Sequence, residues 1–163
     1  MDYLKFKGKI NDMAKVIAYP CKKTDHLAYA VKLSTTPGHL FFHSGFETVG
    51  KSLLNSINTH YLFTRGYCTE KEINKAMETY LKDDPYGKYA REHALKDYVY
   101  NDKFFASEDK DNTLKLGDVD ATIVYRIIGA MYYDSDWQTV KHWVINTLGI
   151  RKMKKTGSIQ SGD

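Results

Sequence analysis

Residues 44–54 read Ser44-Gly45-Phe46-Glu47-Thr48-Val49-Gly50-Lys51-Ser52-Leu53-Leu54. Phe46, Val49, Gly50, Leu53 and Leu54, with Ile57 and Tyr61 beyond, fall at i, i+3 and i+4. That spacing lines one helical face for about four turns and predicts a long amphipathic helix, ended near Gly66. A second stretch, Ile127-Ile128-Gly129-Ala130-Met131-Tyr132-Tyr133-Asp134-Ser135, closes the most apolar segment of the chain. That segment, Ala121 to Tyr133, is broken only by Thr122 and Arg126. A helix apolar almost all round belongs in a core.

The rest of the chain also has helical spacing. Ile10, Met13, Ala14, Val16 and Ile17 predict a first helix stopped near Pro20. Leu27, Ala30 and Val31 mark a second, from Thr24 to Leu33, before the break at Pro37-Gly38. Thr69 and Glu72 form a capping-box pattern ahead of Ile73, Ala76, Met77 and Leu81. A helix from Tyr86 to Tyr98 follows Pro85, and Ser107 to Asn112 reads as a solvated loop. Ser135 and Gln138 suggest another capping box. It opens a last helix with Trp137, Val140, Val144 and Leu148 as its buried stripe and Gly149 as its stop. No segment alternates like a strand, so the fold class is all-α. Residues 1–150 are read as one domain and 151–163 as a basic, frayed tail.

Composition narrows the function classes. The length, 163 residues, suits one core. With 13 Tyr, 7 Phe and 2 Trp the chain is too aromatic to be wholly disordered. A net charge of +4 is compatible with a polyanionic partner, although Lys and Glu are intermixed. Cys21 and Cys68 form no CxxC pattern, which argues against a zinc site or disulfide framework. No apolar run spans a bilayer, and the start shows neither a signal peptide nor a transit peptide. His39 and His43 stand at i, i+4 but lack the glutamate of HExxH. No P-loop, GxGxxG or G-x-S-x-G is present.

The two opening stretches resemble motifs of the ribonuclease III family. The first is similar to the helix that reads E-R-L-E-F-L-G-D-x-x-L, and the second to L-I-G-A-x-Y-x-D-S/G. Weaker echoes occur in the family's order, at Lys23 to Ser34 and Lys88 to Phe105. The resemblance covers residues 10 to 150 and implies the helical bundle of a ribonuclease III endonuclease domain. Such enzymes cut double-stranded RNA with divalent metals held by carboxylates, because Mg²⁺ is a hard cation that takes oxygen ligands.

Registered on Gly50, the family's first glutamate position holds Ser44 and the second holds Glu47. The aspartate position after the glycine holds Lys51. Registered on Gly129, the second helix has Thr122 and Tyr125 where the family has an aspartate and a glutamate. Four of the five acidic positions therefore lack a carboxylate. An ammonium about 4 Å from a dication is repelled by roughly 8 kcal/mol at an effective dielectric of about 20. Lys51 is instead placed to pair with Glu47, four residues earlier on the same face. Asp118 shares a face with Thr122 but stands about 6 Å along the axis, and Asp120 points away.

The expectation is a non-catalytic member with no metal and no cofactor. Silent proteins of this type are components of the mitochondrial large ribosomal subunit and of some RNA-editing complexes. The resemblance implies rRNA or another structured RNA, neighbouring ribosomal proteins and a homo- or heterodimer as partners, and a mitochondrial location. Arg151, Lys152, Lys154 and Lys155 are the first candidates for phosphate contact; Lys22, Lys23, Lys32 and Lys51 are weaker ones. The alternative is a compact metal-dependent double-stranded RNA endonuclease without an accessory domain.

Overall fold

The computed structural model describes residues 3–33, 40–98, 100–101 and 116–155. Among the described residues seven α-helices run in the order α1 (Tyr3–Val16), α2 (Thr24–Val31), α3 (Leu40–Thr64), α4 (Glu70–Lys82), α5 (Pro85–Glu92), α6 (Leu116–Asp134) and α7 (Trp137–Thr147). Short 3-10 turns cover Leu95–Tyr98 and Ile150–Lys152. Two strands of two residues, β1 (Lys32–Leu33) and β2 (Tyr100–Asn101), pair in parallel. So brief a pairing is too short for alternation to show in sequence, and the fold remains an all-α bundle. No helix among the described residues is long and apolar enough to cross a membrane.

Helix α6 is the centre, packed by α2, α3, α5 and α7. Its Ile123, Val124, Ile127, Ile128, Ala130 and Met131 are buried, as its apolar composition predicts. The most extensive packing is between α3 and α6. A Cβ built on Gly50 would collide with the Tyr125 carbonyl, and one built on Gly129 with the Phe46 carbonyl. The two glycines therefore mark where antiparallel backbones touch, one turn apart on each helix. This close approach explains why both motifs contain a glycine inside a helix, where the residue otherwise costs stability.

Polar contacts join the outer segments to this pair and to one another. Tyr19 Oη donates to Met131 O at 3.2 Å, Trp143 Nε1 to Ile17 O at 2.8 Å, and Tyr80 Oη to Leu148 O at 2.6 Å. Burial pushes the Tyr19 phenol up to about 12, against a smaller lowering by Ser135, so it stays a donor at neutral pH.

Several boundaries differ from expectation. Helix α2 ends at Val31, not Leu33, because the next two residues enter the strand pair. The expected helix from Tyr86 to Tyr98 is split: α5 stops at Glu92, and Ala94 takes a left-handed φ of 49° before the 3-10 turn. Val16 lies off the buried face of α1, at 39% exposure, while Ile10, Met13 and Ile17 are buried. The Thr69–Glu72 capping box forms with both of its hydrogen bonds. The Ser135–Gln138 box does not. Asp136 is the N-cap of α7 and accepts from Thr139 N at 2.8 Å. Ser135 Oγ turns back to Met131 O. A carboxylate caps as well as a hydroxyl does, and Asp136 stands one residue nearer the helix. In α7 Trp143 is buried, and Trp137, expected in the buried stripe, is only partly so. The expected loop at 107–112, the Pro37-Gly38 break and His39 lie outside the described residues.

Candidate functional site

Glu47 sits on α3 between the two glycine contacts, facing α6. Its Oε1 receives the Lys51 ammonium at 3.1 Å, the i,i+4 pair that the sequence predicts. Its Oε2 faces Arg126 Nη2 at 3.5 Å. The side chains differ in exposure: Lys51 is 56% exposed, Glu47 24% and Arg126 16%. Lys51 therefore closes the carboxylate from solvent, and Arg126 closes it from the core side.

Arg126 is the residue that sequence reasoning missed. It is the one cation within the apolar segment Ala121 to Tyr133, where hydropathy alone shows only an interruption. Burial pulls its pKa below the ordinary value and Glu47 pulls it back up; a guanidinium stays charged at any working pH. Its Nε is buried with no hydrogen-bond partner. Such a donor costs free energy, so the pair with Glu47 is its main compensation.

Tyr125, at the family's glutamate position, extends the cluster as an aromatic. The Lys51 ammonium lies 5.3 Å from its ring centroid, within cation–π range. The ring meets Tyr86 edge-on at 5.6 Å. Burial, reinforced by Tyr125, pushes the Tyr86 phenol well above its ordinary pKa. As a neutral hydroxyl it accepts from Asn58 Nδ2 at 2.9 Å. Asn58 is fully buried, and sequence offered no signal for it beyond a polar residue on an apolar face.

The family's divalent metals do not fit these residues. A metal needs carboxylate oxygens free to coordinate. Both Glu47 oxygens already face cations, and Lys51 and Tyr125 offer an ammonium and a phenol. Asp120 does not help: it is 4% exposed and held by Arg91 Nη1 at 3.5 Å and Lys96 Nζ at 3.3 Å, away from Glu47. Among the described residues no three His, Cys, Asp or Glu gather as a metal site. The backbones of Ser44 and Asp118 lie in α3 and α6; their side chains are outside the described set. Thr122 is half-buried on α6.

The structure does not bring the expected phosphate-binding lysines to this cluster. Lys22 and Lys23 are exposed, and their backbone N–H groups donate to Asp134 at 2.9 and 2.7 Å. Arg151, in the last 3-10 turn, donates from Nη1 to Asn146 Oδ1 of α7 at 2.9 Å. Lys155 is not free: it donates to Gly66 O at 2.7 Å and pairs with Glu72 at 3.1 Å. The start of the expected frayed tail is thus docked on α4 as far as Lys155, since these carbonyl and carboxylate acceptors hold it. Residues 156–163 lie outside the described residues.

Comparison with known proteins agrees with this architecture. Ribonuclease 3 of Vibrio cholerae is 26% identical over 137 residues, covering 83% of this chain and 59% of that protein. Ribonuclease 3 of a Marinomonas species is 31% identical over 100 residues, covering 61% of this chain and 43% of the relative. The chain thus spans under two thirds of either relative. No family model matches. Two solved structures of the nuclease domain of ribonuclease III from Campylobacter jejuni superpose with TM-scores of 0.68 and 0.65, at 16% and 14% identity. They cover 86% and 98% of this chain, and 96% and 100% of theirs. The helix order, the glycine-marked crossing of α3 and α6 and these likenesses agree: the chain has the fold of a ribonuclease III nuclease domain.

Proposed function

We propose that this chain is a non-catalytic ribonuclease III-fold protein that binds structured RNA and neighbouring proteins within the mitochondrial large ribosomal subunit. The observation that carries the loss of catalysis is the state of Glu47. The one retained acidic position is paired with Lys51 and Arg126, and among the described residues no three His, Cys, Asp or Glu gather as a metal site. The mitochondrion and the particle rest on the resemblance to the family's silent ribosomal members. A net charge of +4 favours an RNA partner. Lys22, Lys23, Arg151, Lys152 and Lys154 are exposed and supply phosphate contacts. One of the Campylobacter structures is described as flexible in a region involved in dimer formation. For this chain we infer a homo- or heterodimer, to which the exposed Phe63, Tyr132 and Tyr133 offer apolar surface.

The test is sedimentation of the tagged protein with mitochondrial large-subunit particles in a salt series. It is expected to travel with the particle and to be released as salt rises, as phosphate contacts require. Sedimentation at the position of free protein at every salt concentration contradicts the assignment. A second reading, a compact metal-dependent double-stranded RNA endonuclease, is favoured by the retained Glu47 and by relatives that are ribonucleases. It requires another set of carboxylates to hold the metal.

A further inference from the structure

We propose that Lys51 and Arg126 are resident cations standing in for the divalent metal that the fold otherwise implies. They neutralise Glu47, fasten α3 to α6 and leave the cluster with net positive charge in the absence of any metal. The support is geometric. Each Glu47 oxygen has its own cation, at 3.1 Å from α3 itself and at 3.5 Å from α6 across the crossing. Arg126 is the better buried of the two, at 16% exposure, so it carries the cross-helix part. Lys51 lies over the Tyr125 ring, so two of the four substituted ligand positions serve one charge cluster. Two cations against one carboxylate leave an excess of one positive charge. If the chain binds RNA, as proposed above, that binding is then independent of divalent ions; this clause rests on that reading, whereas the charge cluster does not.

The experiment measures thermal melting in EDTA and in Mn²⁺ at constant ionic strength. The wild-type Tm is expected to be the same in both. The variant Lys51→Asp, Tyr125→Glu, Arg126→Ala removes the cations and restores oxygen ligands around Glu47. Its Tm is expected to rise by several degrees in Mn²⁺, because a ligand that binds only the native state stabilises it. A Mn²⁺-induced rise in wild type that Glu47→Gln abolishes overturns the proposal, and this arm needs no substituted cation to fold. A double-mutant cycle between Glu47→Gln and Arg126→Met supplies the second measurement. Coupling of at least about threefold in the unfolding constant is expected, and its absence overturns the cross-helix role. An RNA duplex titrated with and without EDTA separates the two claims. Equal binding supports both, and binding lost in EDTA overturns the metal-free site. If wild type binds no duplex under either condition, the RNA reading fails while the melting result still decides the cluster.

Discussion

Gly50 has no side chain because the Tyr125 carbonyl stands where a Cβ would go. Gly50→Ala must therefore push α3 from α6, and overpacking a well-packed contact costs about 1–3 kcal/mol. The obstacle is backbone rather than a mobile side chain, so we expect at least about 3 kcal/mol by urea melting. A loss under about 1 kcal/mol contradicts the crossing. Asp134 is a second telling residue. Burial raises its pKa, but the N–H groups of Lys22 and Lys23 and the Tyr19 hydroxyl outweigh that, and the carboxyl lies below its ordinary value of 3.8. A depressed folded pKa gives stability that is whole above the unfolded pKa and lost as pH falls through the folded one. Below about pH 4 the Tm of wild type should fall more steeply than that of Asp134→Asn. Identical acid limbs contradict the role. Both glycines and Glu47 are legible in sequence because the resemblance to the family's two motifs marks them. Arg126 is not, because its meaning depends on which helix crosses α6 at that turn.

At the scale of elements, the caps decide how much was readable. Thr69 and Glu72 satisfy each other within one turn, so a local pattern predicts a local contact. Replacing Thr69 by Ala should cost about 1 kcal/mol. Ser135 and Gln138 show the same pattern, but Asp136 takes the cap and Ser135 bonds backward. Asp136→Ala is therefore expected to lower Tm, whereas Gln138→Ala changes stability by under about 0.5 kcal/mol. Two melting curves check the ranking, and the reverse order restores the original box. The C-terminal turn is a different kind of miss. Its lysines look solvated in sequence, yet Lys155 finds Gly66 and Glu72 across the fold, 89 and 83 residues away in the chain. No local pattern carries such a contact.

At the scale of the whole molecule, the order of loose motifs was enough to read the bundle, because α3 and α6 form its centre and both are marked. The chemistry was less legible. The lost ligands at Lys51 and Tyr125 are visible as substitutions, but their joining into one charge cluster with Arg126 needs the folded helices. The proposal that this chain does not cut RNA is tested most directly by incubating a labelled RNA duplex with the purified protein in Mg²⁺ and in Mn²⁺. An intact duplex is expected under both conditions at protein concentrations that bind it. Cleavage that requires the metal and disappears in Glu47→Gln would contradict it.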